Sequence, residues 1–283
     1  MLKKKGKTEI VTLDVTEIKK IELQLMKKIH DFCEEKGIKY YLWGGTLLGA
    51  VRHDGFIPWD DDIDIIMPRE DYKIFVESFN TENAGVFSCE TNDLHPFPYA
   101  KVFDKNTIKK EEIRYDGDYC IGVDVDIFML DFVENIDEML KSCKKRKRLL
   151  EEIKLSKRKY NAAGTWIKRM LLNSYLLLLS PYLLIFRKKT NDVCRKLNDM
   201  AQKYAGGSTE NVMLYADANI KMPLVMNGEL FANRSLHKFE EYEFYIPDGY
   251  HEVLTKCYGD YMTLPPEEKR ITHHNYKVYQ KEA

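Results

Sequence analysis

Four aspartates, Asp60, Asp61, Asp62 and Asp64, fall within five positions of the stretch WGGTLLGAVRHDGFIPWDDDIDIIMPRED, residues 43–71. Like charges held so close repel one another and favour the unfolded chain unless something positive compensates them. The pattern also restricts the backbone. Side chains alternate across a strand, so in DIDIIM Asp62 and Asp64 share one face while Ile63 and Ile65 point to the other, into a core. Such a strand needs a packed sheet on one side and a cation on the other.

Two carboxylates on one face are half of a site for a hard divalent cation, Mg²⁺ or Mn²⁺, which takes carboxylate oxygens together with phosphates and water. A further acid must come from a neighbouring strand. GVDVDIF offers Asp124 and Asp126, again on a common face, with Val125 and Ile127 opposite. A solvated loop with helix-capping duty is the plain alternative; it suits Asp60 and Asp61 and does not suit the alternating pair. A calcium loop of EF-hand type fails, because DDDIDIIMPRED lacks the central glycine and puts isoleucines at ligand positions.

Upstream, IKYYLW has the β-branched and aromatic content of a strand and ends on Gly44 and Gly45. The glycines let backbone approach a ligand closely, and Thr46 opens a short helix whose free N–H groups attract phosphate oxygens. A glycine pair alone is usually just a turn. Followed sixteen residues later by DIDI and then by VDIF on a later strand, it becomes a phosphate-plus-metal constellation. Arg52 is placed to reach phosphate; His53 could do so or be a surface residue.

The 283 residues are 44% hydrophobic, enough for a substantial core. The six cysteines, Cys33, Cys89, Cys120, Cys143, Cys194 and Cys257, form no CxxC pair and read as reduced thiols. The basic start MLKKKGKTEI is followed by no apolar run, which argues against secretion and for a cytoplasmic protein. The net charge of −1 hides an asymmetry: residues 141–189 carry 15 Lys and Arg against 2 acids, leaving 29 basic and 43 acidic residues elsewhere. Inside that block, LLNSYLLLLSPYLLIF, residues 171–186, is shorter than the roughly 20 residues a spanning helix needs. Flanked by Lys168, Arg169, Arg187, Lys188 and Lys189, it reads as an interfacial segment on an anionic leaflet or as a buried helical hairpin. Nucleic acid is not expected as a partner, since no recognisable nucleic-acid module accompanies the charge.

Helical spacing of Ile18, Ile21, Leu25, Ile29, Phe32 and Cys33 predicts a helix capped by Thr16 and stopped by Gly37. PREDYKIFVESF reads as a helix opened by Pro68 at its first position. Strands are expected over residues 99–104, 107–114 and 121–130, and helices over 136–160 and 191–204. The expected organisation is an α/β catalytic core over residues 15–135, a basic and apolar helical segment over 136–190, and a turn-rich C-terminal region over 191–283.

WGGTLLGAVRHDGFIPWDDDIDIIMPRED, YAKVFD, VDIFMLD and YGDYMTLPPEEKRITHH together resemble the LicD family of phosphocholine transferases, relatives of fukutin-type proteins. The resemblance implies a nucleotidyltransferase-like fold: a mixed β-sheet flanked by helices. It matches Gly44, Gly45 and Thr46 to the glycine signature, Asp62 and Asp64 to the metal pair and Asp126 to the third acid, with Asp124 left open as a substitute. It implies transfer of phosphocholine, or a related group, from a CDP-linked donor such as CDP-choline to a sugar hydroxyl of a surface glycan or its lipid-linked precursor. Metal on Asp62, Asp64 and Asp126 would bridge the donor phosphates, Asp126 or an adjacent acid would draw the proton from the hydroxyl, and Arg52 would steady departing CMP. For a trimethylammonium cargo, Trp43, Trp59, Tyr99 and Tyr115 offer aromatic faces. Tyr258, Asp260, Arg270, His273 and His274 are candidates to close the site or bind the acceptor, with packing the competing role for Tyr258, Pro265 and Pro266. Two rivals remain: a nucleotidylyltransferase that releases pyrophosphate from an NTP, and a non-catalytic membrane-bound glycan binder.

Overall fold

In the computed structural model, described for residues 12–111, 119–156, 174, 189–206, 210–216, 224–271 and 276–281, helices flank a mixed β-sheet. The first helix, α1 (Val15–Lys36), is capped by Asp14, whose carboxylate accepts from the Glu17 N–H while Glu17 reaches back to the Asp14 N–H. This reciprocal box outcompetes Thr16, the cap expected from sequence, and lies two residues earlier. The helix ends at Gly37, as expected. Strand β1 (Tyr41–Leu42) then leads directly into α2 (Gly44–His53).

Strand β2 (Asp64–Pro68) is followed by α3 (Arg69–Ser78), so Pro68 closes the strand instead of starting the helix. Next come β3 (Ala84–Phe87), β4 (Ala100–Asp104), β5 (Thr107–Glu111) and β6 (Asp124–Phe132). Helices α4 (Ile136–Ser156) and α5 (Thr190–Tyr204) pack on each other, and β7 (Asn211–Met213) and β8 (Val225–Asn227) follow. The hairpin β9 (Arg234–Phe239) and β10 (Tyr242–Pro247), then α6 (Tyr250–Tyr258) and β11 (Tyr276–Gln280), complete the described elements.

The main sheet runs β1-β2-β6-β4-β3, with β7 and β8 added along the far end of β6. Only the β2–β6 pair in it is parallel. Its apolar residues are inside: Ile63, Ile65, Ile66, Val125 and Ile127 have no exposed surface. One core cluster includes these together with Met26 and Ile29 of α1, Leu149 and Ile153 of α4, Leu197 of α5 and Phe244 of β10. The basic helix α4 therefore buries one face, and Arg146 within it is buried too, donating from Nε to the Tyr215 carbonyl at 2.7 Å. Apart from Ser174, residues 171–186 lie outside the described residues, and no helix among those described is long and apolar enough to cross a membrane.

Helix α2 crosses the loop after it at Gly49. A Cβ there would run into the Gly55 carbonyl oxygen and come within 3.3 Å of the Ile57 nitrogen, both backbone atoms that cannot swing aside. Gly49→Ala is expected to cost about 1–3 kcal/mol through overpacking, read as a melting temperature several degrees lower. An unchanged melting curve would show that the loop yields freely.

Candidate active site

The site begins where β1 hands the chain to α2. Because β1 runs antiparallel to β2, Trp43 comes level with Asp64, and its N–H donates to the Asp64 carbonyl at 2.9 Å. The Thr46 hydroxyl accepts from the Asp64 N–H at 2.9 Å, tying the helix to the start of the acidic strand. Thr46 thus holds the strand from the first turn of α2, which already begins at Gly44. Gly44 has φ +56°, a conformation that L side chains rarely adopt. A Cβ on it would lie 3.3 Å from Asp64 Oδ2 and 3.9 Å from the Tyr258 hydroxyl, so a bare backbone, a carboxylate and a phenol meet at one point. Beside it, the Asp60 carboxylate presses against the place a side chain would take at Gly45.

The parallel β2–β6 register sets Asp64 against Asp126, and the antiparallel β4–β6 register sets Lys101 on the other side of Asp126. Direct register partners share a face of the sheet, so Lys101, Asp126 and Asp64 form a row across three strands. The Lys101 Nζ lies 2.5 Å from Asp124 Oδ2 and also pairs with Asp126 Oδ1, while Lys109 pairs with Asp124 Oδ1. Both oxygens of Asp124 are therefore held by ammonium groups, and its side chain is only 2% exposed against 18% for Asp126. Burial pushes the Asp124 carboxyl up, but Lys101 and Lys109 more than reverse this and hold it below the usual range. For Asp126 burial prevails: against Lys101, and reinforced by the Asp124 charge, it raises the carboxyl to about 6.

A cavity of about 350 Å³ opens at the glycine turn, lined by Gly45, Arg52, Trp59, Asp60, Tyr258 and Tyr261 among others. Arg52 donates from Nη1 to the Tyr261 carbonyl at 2.7 Å, and Arg270 stacks its guanidinium 5.6 Å from the Trp59 ring centre. Burial and then the Arg270 charge lower the Arg52 pKa, so the two guanidiniums act on each other across this cavity wall. Arg52 thus shares the cavity lining with two carboxylates, Asp60 and Asp260.

A sequence profile described as LicD/FKTN/FKRP, nucleotidyltransferase domain, matches residues 37–150. The lipopolysaccharide cholinephosphotransferase LicD of Haemophilus influenzae is 33% identical over 265 residues, covering 91% of this chain and 94% of that protein. The chain belongs to the LicD family. Shorter matches include an uncharacterized protein of Rickettsia prowazekii, 44% identical over 22% of this chain and 27% of its own length. The human ribitol 5-phosphate transferase FKRP is 53% identical over 38 residues, 13% of this chain and 8% of that protein. This LicD-family chain is accordingly a phospho-group transferase, with the mixed α/β architecture expected from its sequence.

Of the sequence-derived candidates, Gly44, Gly45, Thr46, Asp64 and Asp126 converge at the start of β2 and β6, and Arg52, Trp59 and Arg270 meet at the cavity. Asp62 lies two residues before Asp64, ahead of the first residue of β2. Asp61 is not a solvated loop residue: it is buried, and its carbonyl accepts from the Tyr276 hydroxyl at 3.2 Å. Trp43 and Tyr99 are buried in the core, while Tyr115, His273 and His274 lie outside the described residues. Lys101, Lys109 and the cavity role of Tyr261 were not read from the sequence; YAKVFD does carry Lys101, but only strand register reveals its partner.

The donor chemistry fits a hard divalent cation, since Asp64 beside a side-chain-free turn and its register partner Asp126 offer carboxylate oxygens, with Asp62 two residues before Asp64. Among the described residues, however, no three His, Cys, Asp or Glu side chains are already gathered at ligating distance. A cation bound here would have to draw the carboxylates together, and a protonated Asp126 would take no part. The carboxyl at about 6 is charged above that pH and neutral below it. The Mn²⁺ dissociation constant is therefore expected to rise about tenfold between pH 7 and pH 5, measured by titration of the metal-free protein. A flat profile over that range would exclude Asp126 as a ligand.

Proposed function

We propose that this protein transfers phosphocholine, or a related phospho-group, from a CDP-linked donor to a sugar hydroxyl of a cell-surface glycan or its lipid-linked precursor. The observation that carries the reading is the pairing of Asp64 with Asp126 in parallel register, beside the Gly44–Gly45 turn and the Arg52 flank of the cavity. Family membership supports it, since the Haemophilus influenzae relative is a lipopolysaccharide cholinephosphotransferase and FKRP a ribitol 5-phosphate transferase.

Mg²⁺ or Mn²⁺ on Asp62, Asp64 and Asp126 would neutralise charge on the donor phosphates during in-line displacement. The chain's own groups do the rest. An acid adjacent to Asp126 takes the proton from the attacking hydroxyl as the sugar oxygen bonds to phosphorus. The bond from phosphorus to CMP breaks on the opposite side, and Arg52 compensates the charge on the departing CMP. The Trp59 face now holds the Arg270 guanidinium, and the same cation–π attraction suits a trimethylammonium group there, with Tyr258 and Tyr261 as further walls. Peripheral contact with an anionic inner leaflet through the basic run of residues 141–189 belongs to the same proposal.

The test is CMP release by purified protein with Mg²⁺, across CDP-choline, CDP-ethanolamine, CDP-glycerol and CDP-ribitol. One donor is expected to yield metal-dependent CMP, with turnover at least about 100-fold lower in Asp64→Asn. Pyrophosphate released from an NTP would replace this reading with nucleotidylyl transfer, and silence with every donor would overturn it. If choline is the cargo, Trp59→Ala should raise the KM for CDP-choline about tenfold; an unchanged KM would move the cation elsewhere.

A further inference from the structure

Asp126 cannot be understood without the ammonium beside it. Lys101 is 6% exposed at its side chain, and its Nζ stands 4.8 Å from the Phe97 ring centre and 5.6 Å from that of Tyr99. In that aromatic pocket its partners are the Asp124 and Asp126 carboxylates. Asp124 is also held by Lys109, so it is fixed from both oxygens. Asp126 depends on Lys101: it gives Oδ1 to that ammonium, and its Oδ2 accepts from no described residue. One oxygen is anchored and one remains to ligate.

We propose that Lys101 is a positioning residue of the transfer reaction, anchoring Asp126 by one oxygen so that the other is presented to a divalent cation beside Asp64. This rests on the metal-dependent transfer proposed above. The four groups Lys101, Lys109, Asp124 and Asp126 are two positive and two negative, a neutral block under the acidic turn. Asp124 acts here as the counter-charge that keeps the Lys101 ammonium in place, which separates the two acids that the sequence left equivalent. Ligand-orienting partners outside the metal shell characteristically change metal affinity or activity by about 10–100-fold when removed.

The experiment measures Mn²⁺ affinity of the full chain by paramagnetic titration, together with kcat and KM for the active CDP donor. Lys101→Met, with its fold checked by circular dichroism, is expected to weaken Mn²⁺ binding at least about tenfold and to lower kcat by a similar factor. The donor KM should stay within about threefold, because Lys101 touches the ligand and not the nucleotide. Lys109→Met removes an ammonium that pairs with Asp124 and not with Asp126, and its Mn²⁺ affinity is expected within about threefold of wild type. Should Lys101→Met fail to fold, Lys101→Gln carries the same test with the same direction. Unchanged or tighter Mn²⁺ binding on loss of Lys101, or an equal loss in Lys109→Met, would overturn the assignment while leaving the transfer reaction standing. A wild-type protein that binds no Mn²⁺ would remove the metal reading and this inference together.

Discussion

The parallel pairing of β2 with β6 is the constraint on which the rest depends. A strand's faces alternate with a period of two, so a slip of one residue in either strand would exchange its acidic and apolar sides. Asp64 and Asp126 would then be driven into the core, where an unpaired ionised carboxylate costs several kcal/mol. The same slip would expose Ile65 and Ile127, which now have no accessible surface. Two local bonds reinforce the register: the Thr46 hydroxyl receives the Asp64 N–H, and the Ile63 carbonyl receives the Asp126 N–H at 3.0 Å. The glycine turn, the acid pair and the sheet are thus one unit.

Around that unit the chain handles charge in layers. Nearest the core, Lys101 and Lys109 neutralise Asp124 and Asp126. Glu22 of α1 is 2% exposed, and burial, reinforced by the charges of Asp62, Asp124 and Asp61, raises its carboxyl well above the ordinary range. At the cavity both signs occur, with Arg52, Asp60 and Asp260 in the lining and Arg270 against the Trp59 ring.

Much of this was legible in one dimension because it is written in short-range patterns. The alternation in DIDI and DVDI gives each strand and its acidic face; the glycine pair marks the turn; the apolar spacing of α1 gives a helix whose end at Gly37 is where expected. What was hidden depends on residues far apart in the chain. Lys101 meets Asp126 across 25 positions, and Arg52 meets the Tyr261 carbonyl across 209. Neither is encoded in a local motif, and only the order β2-β6-β4 makes Lys101 a neighbour of the acids. The cap at Asp14 was missed for a different reason: Asp14 and Thr16 are both good caps, and the reciprocal bond with Glu17 decides between them.

On charge alone, a sheet that sets two carboxylates side by side would come apart without a cation. The magnitudes say otherwise. Four fully buried side chains opposite the acids, Ile63, Ile65, Val125 and Ile127, contribute on the order of 10 kcal/mol. Repulsion between two charges about 5–6 Å apart in a partly solvated setting is about 3 kcal/mol at an effective dielectric near 20, and the Lys101 ammonium and partial protonation of Asp126 reduce it further. The apolar face therefore holds the register, and the acidic face is free to be shaped by chemistry. The fold that brings the two carboxylates together therefore does not depend on a cation.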